Sequence, residues 1–300
     1  MLLIVGSIIV VASIIGGYAA AGGHLGVLWQ PFEFVIIAGA AVGGFLIANP
    51  KPVLLSSTKA IGQVLRGPRH TKESYLELLS LMYAVFKLIK MKGMLVLERH
   101  VENPEESDLF QQFPNFSKNH HALTFFCDYL RLLTLGTENA FEMEALMDQE
   151  IETHHGEINQ VAEAVQTVAD ALPALGIVAA VLGVIHTMGL ITEPPEVLGK
   201  SIGGALVGTF LGVLLSYGFV GPMGRALTQI YDAETKYFQC IKSGLLAYLQ
   251  GYAPAVAVEF ARKALTSNVR PTFYEVEDAV QGVPSVQTPE QEQTQAQGQA

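Results

Sequence analysis

Four apolar runs constrain what this chain can fold into more than any other feature. Apart from His186, the only ionisable acidic or basic side chain within them is Glu33. The runs occupy residues 2–21, 31–49, 171–191 and 201–220. A helix of about 20 residues rises about 30 Å, the thickness of a hydrocarbon core. Because lipid offers the backbone no hydrogen bonds, each run predicts one membrane-spanning α-helix.

The composition agrees with a chain that lies largely in lipid. Hydrophobic residues make up 50% and charged residues 15%, whereas soluble domains carry about 25% charged residues. The net charge of -10 argues against nucleic acid as a partner, since phosphates require a basic surface. Two cysteines are too few for a disulfide scaffold, and we expect both to be reduced and buried.

The start of the chain has two readings. Ala19–Ala21 resembles a signal-peptidase site after an apolar stretch. No Lys or Arg precedes that stretch, however, and it is longer than the apolar part of most signal peptides. We therefore expect a retained helix.

Basic residues predict the orientation. Of the 18 Lys and Arg residues, only Lys200 falls in the connections 22–30 and 192–200. The positive-inside rule places the other connections in the cytoplasm. The prediction is a multi-pass protein of the bacterial inner membrane, in contact with lipid, with both termini cytoplasmic.

This topology divides the chain into five parts. We predict an all-α integral membrane protein with four transmembrane helices and a helical cytoplasmic domain. An amphipathic helix follows Tyr75 and is expected to stop at Asn103–Pro104. The helix after Glu138 is expected to continue into the third membrane run, because 158–172 lacks Gly and Pro. The parts are 1–50 with the first two membrane helices, 51–170 as the cytoplasmic domain, 171–221 with the last two membrane helices, 222–281 as a cytoplasmic helical region, and 282–300 as a disordered tail.

Charge is segregated within the cytoplasmic part. No Lys or Arg stands between Arg131 and Lys200, whereas Lys87, Lys90 and Lys92 lie close together on the earlier helix. Solvated or mutually paired helices would explain this pattern. A docking surface with patches of both signs would explain it as well.

Glycine and proline mark the membrane helices. Gly204, Gly208 and Gly212 recur every fourth residue on the fourth helix. Such a stripe permits close helix packing, either within the chain or between subunits. A shorter stripe, Gly39 and Gly43, lies on the second helix.

Two prolines, Pro173 and Pro222, fall near the cytoplasmic ends of the third and fourth helices. Proline removes a backbone donor and permits a bend. The pair could form a hinge, or both could be ordinary helix-end prolines.

Ionisable groups are scarce in the apolar runs. An ion pathway requires such a group, yet no Asp or Glu is expected deep within any run, and His186 is expected to be structural. If the chain conducts ions, the carboxylate must come from another polypeptide.

No enzymatic site is predicted. Gly199-Lys200-Ser201 resembles the end of a phosphate-binding loop, but Pro194 stands where its first glycine is required. The adjacent pairs His120-His121 and His154-His155 diverge on a helix, so we expect no metal and no cofactor.

Several stretches resemble the MotA family of flagellar motor stator subunits, within the MotA/TolQ/ExbB superfamily. Residues 172–186 (LPALGIVAAVLGVIH) are similar to its third membrane helix, and 207–222 (VGTFLGVLLSYGFVGP) to its fourth. Segments 97–107, 145–153 and 251–260 match as well. The resemblance extends from the first helix to about residue 280.

The resemblance implies a ring, a pentamer of this chain, around two copies of MotB. MotB would supply the ion-carrying aspartate and an anchor to peptidoglycan. Pro173 and Pro222 would couple its protonation to movement. Lys90, Glu98 and, more weakly, Glu150 would contact the rotor protein FliG. Lys90 stands where the family usually has Arg. Lysine keeps the positive charge but cannot form the bidentate hydrogen bonds of a guanidinium group.

The resemblance also bears on the ion. Sodium-using relatives carry a threonine where this chain has Ala180, opposite Thr209. A methyl group offers sodium no oxygen, so we expect protons rather than sodium. Two alternatives to a stator remain. An energising subunit of the ExbB/TolQ type would have three membrane helices and a large outward N-terminal segment, which the short N-terminus here disfavours, and a non-conducting scaffold would leave the paired prolines unexplained.

Overall fold

The computed structural model describes residues 2–67, 69–137 and 139–282, and the expected tail therefore lies, beyond Gly282, outside the described residues. Within them the regular structure is entirely helical. The α-helices are α1 (Leu2–Ala20), α2 (Pro31–Ala48), α3 (Lys51–Arg66), α4 (Lys72–Lys92), α5 (Glu98–Glu102), α6 (Asp108–Gln111), α7 (Pro114–Ser117), α8 (His120–Thr134), α9 (Ala140–Met188), α10 (Pro195–Leu215), α11 (Gly221–Leu249), α12 (Pro254–Lys263) and α13 (Phe273–Gln281).

Four helical segments are long and apolar enough to cross a membrane. Two of them are Leu3–Ala20 and Leu25–Ala48, and the others lie within Ala140–Met188 and Pro195–Leu249. Large apolar side chains such as Ile8 and Ile47 are exposed on the first two, as lipid-facing positions allow. The protein is thus all-α with four candidate membrane spans, as the sequence predicts.

The first compact unit comprises residues 2–67 and 155–232. It contains α1–α3, α10 and parts of α9 and α11. The amphipathic helix α3 buries Val53, Ala60 and Val64. These positions repeat at helical spacing, so one face of α3 joins a core with Val161 and Leu227.

The helix α9 is continuous for 49 residues, with Pro173 inside it. The sequence correctly predicts that the acidic cytoplasmic helix runs into the third membrane run. The domain limits drawn from membrane depth, at 50, 170, 221 and 281, stay predictions.

The second compact unit comprises residues 69–154 and 233–282 of the described chain. Its core is rich in aromatic side chains, and Tyr75, Phe86, Phe126 and Tyr237 are all almost fully buried. Both cysteines are free and buried, as the sequence predicts.

The amphipathic helix of this unit ends earlier than expected. α4 stops at Lys92, and the expected end at Asn103–Pro104 is wrong. Gly93 adopts φ +82°, a conformation that glycine reaches without the steric cost of a Cβ. Its N–H caps the helix on the carbonyl of Ile89, and the apolar pattern then continues through a 3-10 turn and the short α5.

A buried ionic hydrogen bond joins two segments of the second unit. His70 Nε2 lies 2.7 Å from Glu234 Oε2, and the His70 ring stacks on Tyr237 at 4.1 Å. Asn119 donates a longer bond of 3.5 Å to the same carboxylate. Burial acts to raise the pKa of Glu234, but hydrogen bonds from His70 and Asn119 outweigh it and hold that pKa below its ordinary value.

This pair makes stability depend on pH. An unfolded glutamate has a pKa of about 4.3. The ionised Glu234 therefore adds its full share to the free energy of unfolding above that pH, and this stabilisation is lost as the pH falls through the lowered pKa of the folded state. Glu234→Gln is expected to lower the free energy of unfolding by roughly 2 kcal/mol at pH 7. It is also expected to weaken the fall of the melting temperature at acid pH. Glu277→Gln, at an exposed site, is the control. An acid limb identical to that of the unmodified protein would contradict this role of Glu234.

Candidate functional site

The third and fourth membrane helices meet along a seam of glycines. A Cβ placed on Gly176 would stand 2.8 Å from the carbonyl oxygen of Gly208. One placed on Gly212 would stand 2.6 Å from the carbonyl oxygen of Leu172 and 2.8 Å from the Gly176 Cα. Because these neighbours are backbone atoms, no side chain can give way. Glycine is therefore required at Gly176 and Gly212 for the helices to approach this closely.

The glycine stripe has a second contact towards the start of α2. A Cβ on Gly204 would lie 2.9 Å from the Gln30 amide nitrogen, and one on Gly208 would lie 2.9 Å from Glu33 Oε2. All three predicted glycines thus pack against other segments of the same chain. By contrast, a Cβ on Gly39 or Gly43 would meet no atom of another described segment within 4 Å.

The predicted pathway residues lie at this seam. Ala180 is buried, and its backbone nitrogen would be 3.1 Å from a Cβ on Gly208. Thr209, the next residue after Gly208, is half-buried. The structure therefore brings the segments of Ala180 and Thr209 together, and their role in an ion pathway stays a prediction.

The two predicted hinge prolines flank the end of the same seam at which Leu172 meets Gly212. Pro173 follows Leu172, whose carbonyl contacts Gly212. Gly221, just before Pro222, packs towards Ala169, with 3.8 Å between its ideal Cβ and the Ala169 Cβ. Ala169 is four residues before Pro173, so its carbonyl is the one that proline leaves without a helical donor.

Pro222 follows a break in regular α-helix. Residues Ser216–Val220 form a π-helical turn, and the Gly221 N–H donates to the carbonyl of Ser216, five residues back. Pro222 has no N–H to donate to the Gly218 carbonyl, so the backbone hydrogen-bond pattern of the helix is interrupted there. Single π turns often mark functional positions in helices.

Two features of the seam were not predicted. Gly176 and Gly183 on α9 are the partners of the α10 stripe, and their spacing of two helical turns is the signal that could have indicated them. The second is Glu33, which is 9% exposed. Its Oε2 is buried and has no hydrogen-bond partner among the described residues. Because Glu33 is the third residue of α2, the expectation that no acid lies deep within a run stays a prediction.

The predicted rotor-facing residues lie in the second unit. Lys90 is exposed in the last turn of α4, and Glu98 is exposed at the start of α5. Glu98 borders a shallow groove of about 390 Å³. Glu150 accepts a hydrogen bond of 2.7 Å from the Tyr129 hydroxyl, so its carboxylate is partly engaged within the chain. That bond, with burial as the larger cause, raises the pKa of Tyr129 well above its ordinary range.

Part of the acidic face of α9 is paired within the same unit. Lys242 Nζ lies 2.6 Å from Asp148 and 3.4 Å from Glu144. Glu144 and Asp148 are thus paired with α11, whereas pairing of the acidic helix with the lysines of α4 stays a prediction.

Four candidate membrane spans, a glycine seam and prolines at one end of it indicate a helical membrane protein of the channel-subunit class. The profile described as "MotA/TolQ/ExbB proton channel family" matches residues 118–240. The profile described as "Motility protein A N-terminal" matches residues 4–93.

Two relatives cover almost the whole chain. Motility protein A of Salmonella typhimurium is 46% identical over 98% of this chain and 99% of its own length. Motility protein A of Escherichia coli is 45% identical over the same shares. The chain belongs to the motility protein A family.

Solved structures agree on the fold. The C. jejuni MotAB structure has a TM-score of 0.73 at 20% identity, covering 89% of this chain and 96% of that one. The flagellar MotAB stator complex from Bacillus subtilis has a TM-score of 0.64 at 21% identity, covering 85% and 92%.

Proposed function

We propose that this chain is a flagellar motor stator subunit that conducts protons together with MotB and converts the proton-motive force into torque. In this proposal it lies in the inner membrane with both termini in the cytoplasm. Five copies form a ring around two copies of MotB, and the cytoplasmic part acts on FliG. The observation that carries the proposal is the full-length similarity to motility protein A, which covers 98% of this chain.

The seam supports the mechanism. Each proton that moves down the membrane potential releases about 2.3 kcal/mol per 100 mV. It neutralises the MotB aspartate beside Pro173 and Pro222 and changes how that aspartate fits against the ring. α9 and α10 are in contact through backbone atoms at Gly176 and Gly212. A bend at either proline therefore changes the packing of the two helices directly. The ring then steps relative to MotB.

Rotor contact would use exposed charges of the second unit. Lys90 lies at the C-terminal end of α4, where a cation is favoured by the helix dipole. Glu98 offers the opposite charge beside the shallow groove. Both residues are exposed, whereas Glu150 is held by Tyr129, so we assign the main contact to Lys90 and Glu98.

The match over residues 4–93 favours this function over the ExbB/TolQ alternative, because it is to the N-terminal part of motility protein A. The test is deletion of the gene, with motility and flagella scored separately, followed by complementation with the full chain. We expect paralysed cells with normal numbers of flagella, and recovery on complementation. Cells that swim without the gene, or that lack flagella, would contradict the proposal.

The proposed ion is the proton, because Ala180 presents a methyl group where an oxygen would be needed for sodium. We expect swimming speed to stay unchanged when external sodium is replaced by potassium at constant osmolarity. The swimming speed of cells with the Ala180→Thr variant, which adds a hydroxyl near Thr209, is compared in the same two media. A strict requirement of the unmodified chain for sodium would reverse the assignment.

A further inference from the structure

Glu33 occupies an unusual position for an acidic residue. It is the third residue of α2, in the candidate span Leu25–Ala48. Its side chain is more than nine-tenths buried, and Oε2 has no hydrogen-bond partner among the described residues. An ionised carboxylate without a partner is costly to bury, and binding a proton removes its charge. Intramembrane ionisable residues with these properties are functional candidates.

The facing helices leave room for this carboxyl group. A Cβ on Gly208 of α10 would lie 2.9 Å from Oε2, and one on Gly183 of α9 would lie 3.1 Å from Oε1. Any larger residue at either position would intrude on the carboxyl oxygens. The two glycines therefore form a cradle around the end of the Glu33 side chain.

The cradle adjoins the predicted ion pathway. Oε2 and the backbone nitrogen of Ala180 both lie within 3.1 Å of the point where a Gly208 Cβ would stand. Thr209 is the next residue along α10. The carboxyl group of Glu33 is thus at the level of Ala180 and Thr209, towards the outer end of the seam in the proposed topology.

The other ionisable groups near this position on the surrounding elements are exposed to solvent. His186 on α9, Glu196 and Lys200 on α10, and His24 before α2 are all exposed. The two cradle glycines have no side chains that could coordinate a metal ion, so a mobile proton is the simplest cation for Glu33 to bind.

We propose that Glu33 is a proton-carrying residue of this chain in the outer half of the pathway. This inference rests on the proposed function. A proton from the outer solution binds the Glu33 carboxylate and gives a neutral carboxylic acid. The acid then passes the same proton inward to the MotB aspartate, which becomes neutral as the Glu33 carboxylate is restored. No other bond changes and no electrons are transferred.

The test uses the full chain co-expressed with MotB in flagellated cells that lack their own stator genes, with tethered-cell rotation measured against external pH. Glu33→Gln keeps the shape and removes the titratable group. We expect rotation to fall by at least about a hundredfold at every pH, in the range that a lost proton-transfer group causes. Glu196→Gln removes the charge of an exposed glutamate on α10 and is expected to leave rotation unchanged.

Glu33→Asp separates a relay from a packing role. Aspartate keeps the carboxylic acid on a shorter side chain. We therefore expect slower rotation and a shifted midpoint in the curve of rotation speed against external pH. Co-purification with MotB checks assembly, and if Glu33→Gln does not assemble, the aspartate variant decides. Wild-type rotation in Glu33→Gln, or an unmoved midpoint in Glu33→Asp, would overturn the relay. If the unmodified chain failed to restore rotation, the proposed function itself would be wrong.

Discussion

Replacing Pro173 by alanine is expected to abolish rotation while the stator complex still assembles. Pro173 lies within the continuous helix α9 and leaves the Ala169 carbonyl without its helical donor. Alanine restores that N–H and removes a residue that costs about 3 kcal/mol in a helix interior. The helix therefore becomes straighter and more rigid at the inner end of the glycine seam. Melting of the purified complex should not fall, whereas tethered cells should show no rotation.

Pro195→Ala is the matched control for this variant. Pro195 is the first residue of α10, where a missing N–H has no helical acceptor to lose. We expect normal rotation and an unchanged melting midpoint in the control. Normal motility of cells with Pro173→Ala would refute the hinge role, and loss of MotB from the purified complex would show that Pro173 acts in assembly instead.

Replacing Gly212 by alanine is expected to lower the free energy of unfolding by about 1–3 kcal/mol, as overpacking does in well-packed cores. The added methyl group would meet the Leu172 carbonyl at 2.6 Å and the Gly176 Cα at 2.8 Å. Only separation of α9 from α10 relieves both contacts. Thermal melting of the detergent-solubilised complex measures the loss, and rotation should fall with it.

Gly203→Ala on the same helix tests whether the effect belongs to the seam. A Cβ at Gly203 meets only a Val27 methyl group, at 3.7 Å, which is an ordinary contact. We expect a neutral effect or a gain of roughly 0.5–1 kcal/mol from the better helix former. Equal melting midpoints for the two variants would show that the seam tolerates a methyl group and that the close approach is unimportant.

The sequence predicts the membrane spans well because a run of 20 uncharged residues leaves the backbone no alternative to a helix in lipid. It also predicts the continuity of α9, since no Gly or Pro interrupts 158–172. The end of α4 at Gly93 was missed because the apolar pattern continues past it, and periodicity cannot distinguish a continuing helix from a capped helix and a turn. The π turn before Pro222 leaves no mark in residue spacing.

The site was predictable in part for similar reasons. The α10 stripe repeats every fourth residue and is visible in the sequence, whereas its partners on α9, Gly176 and Gly183, are seven residues apart. The place of Glu33 near the start of α2 gives no sign in the sequence that its side chain is buried. That burial depends on where the end of a long side chain lies, next to Gly183 and Gly208. The roles of Lys90, Glu98 and Glu150 at the rotor stay predictions.

In the proposed mechanism, ion flow through this chain requires the carboxylate of a partner, because Glu33 can load a proton but cannot carry it to the inner side alone. The most direct measurement is proton uptake into sealed lipid vesicles under a membrane potential, with the purified chain alone and with MotB. We predict uptake with the chain alone equal to that of protein-free vesicles, and faster uptake with MotB present. Equally fast uptake by the chain alone would contradict the account.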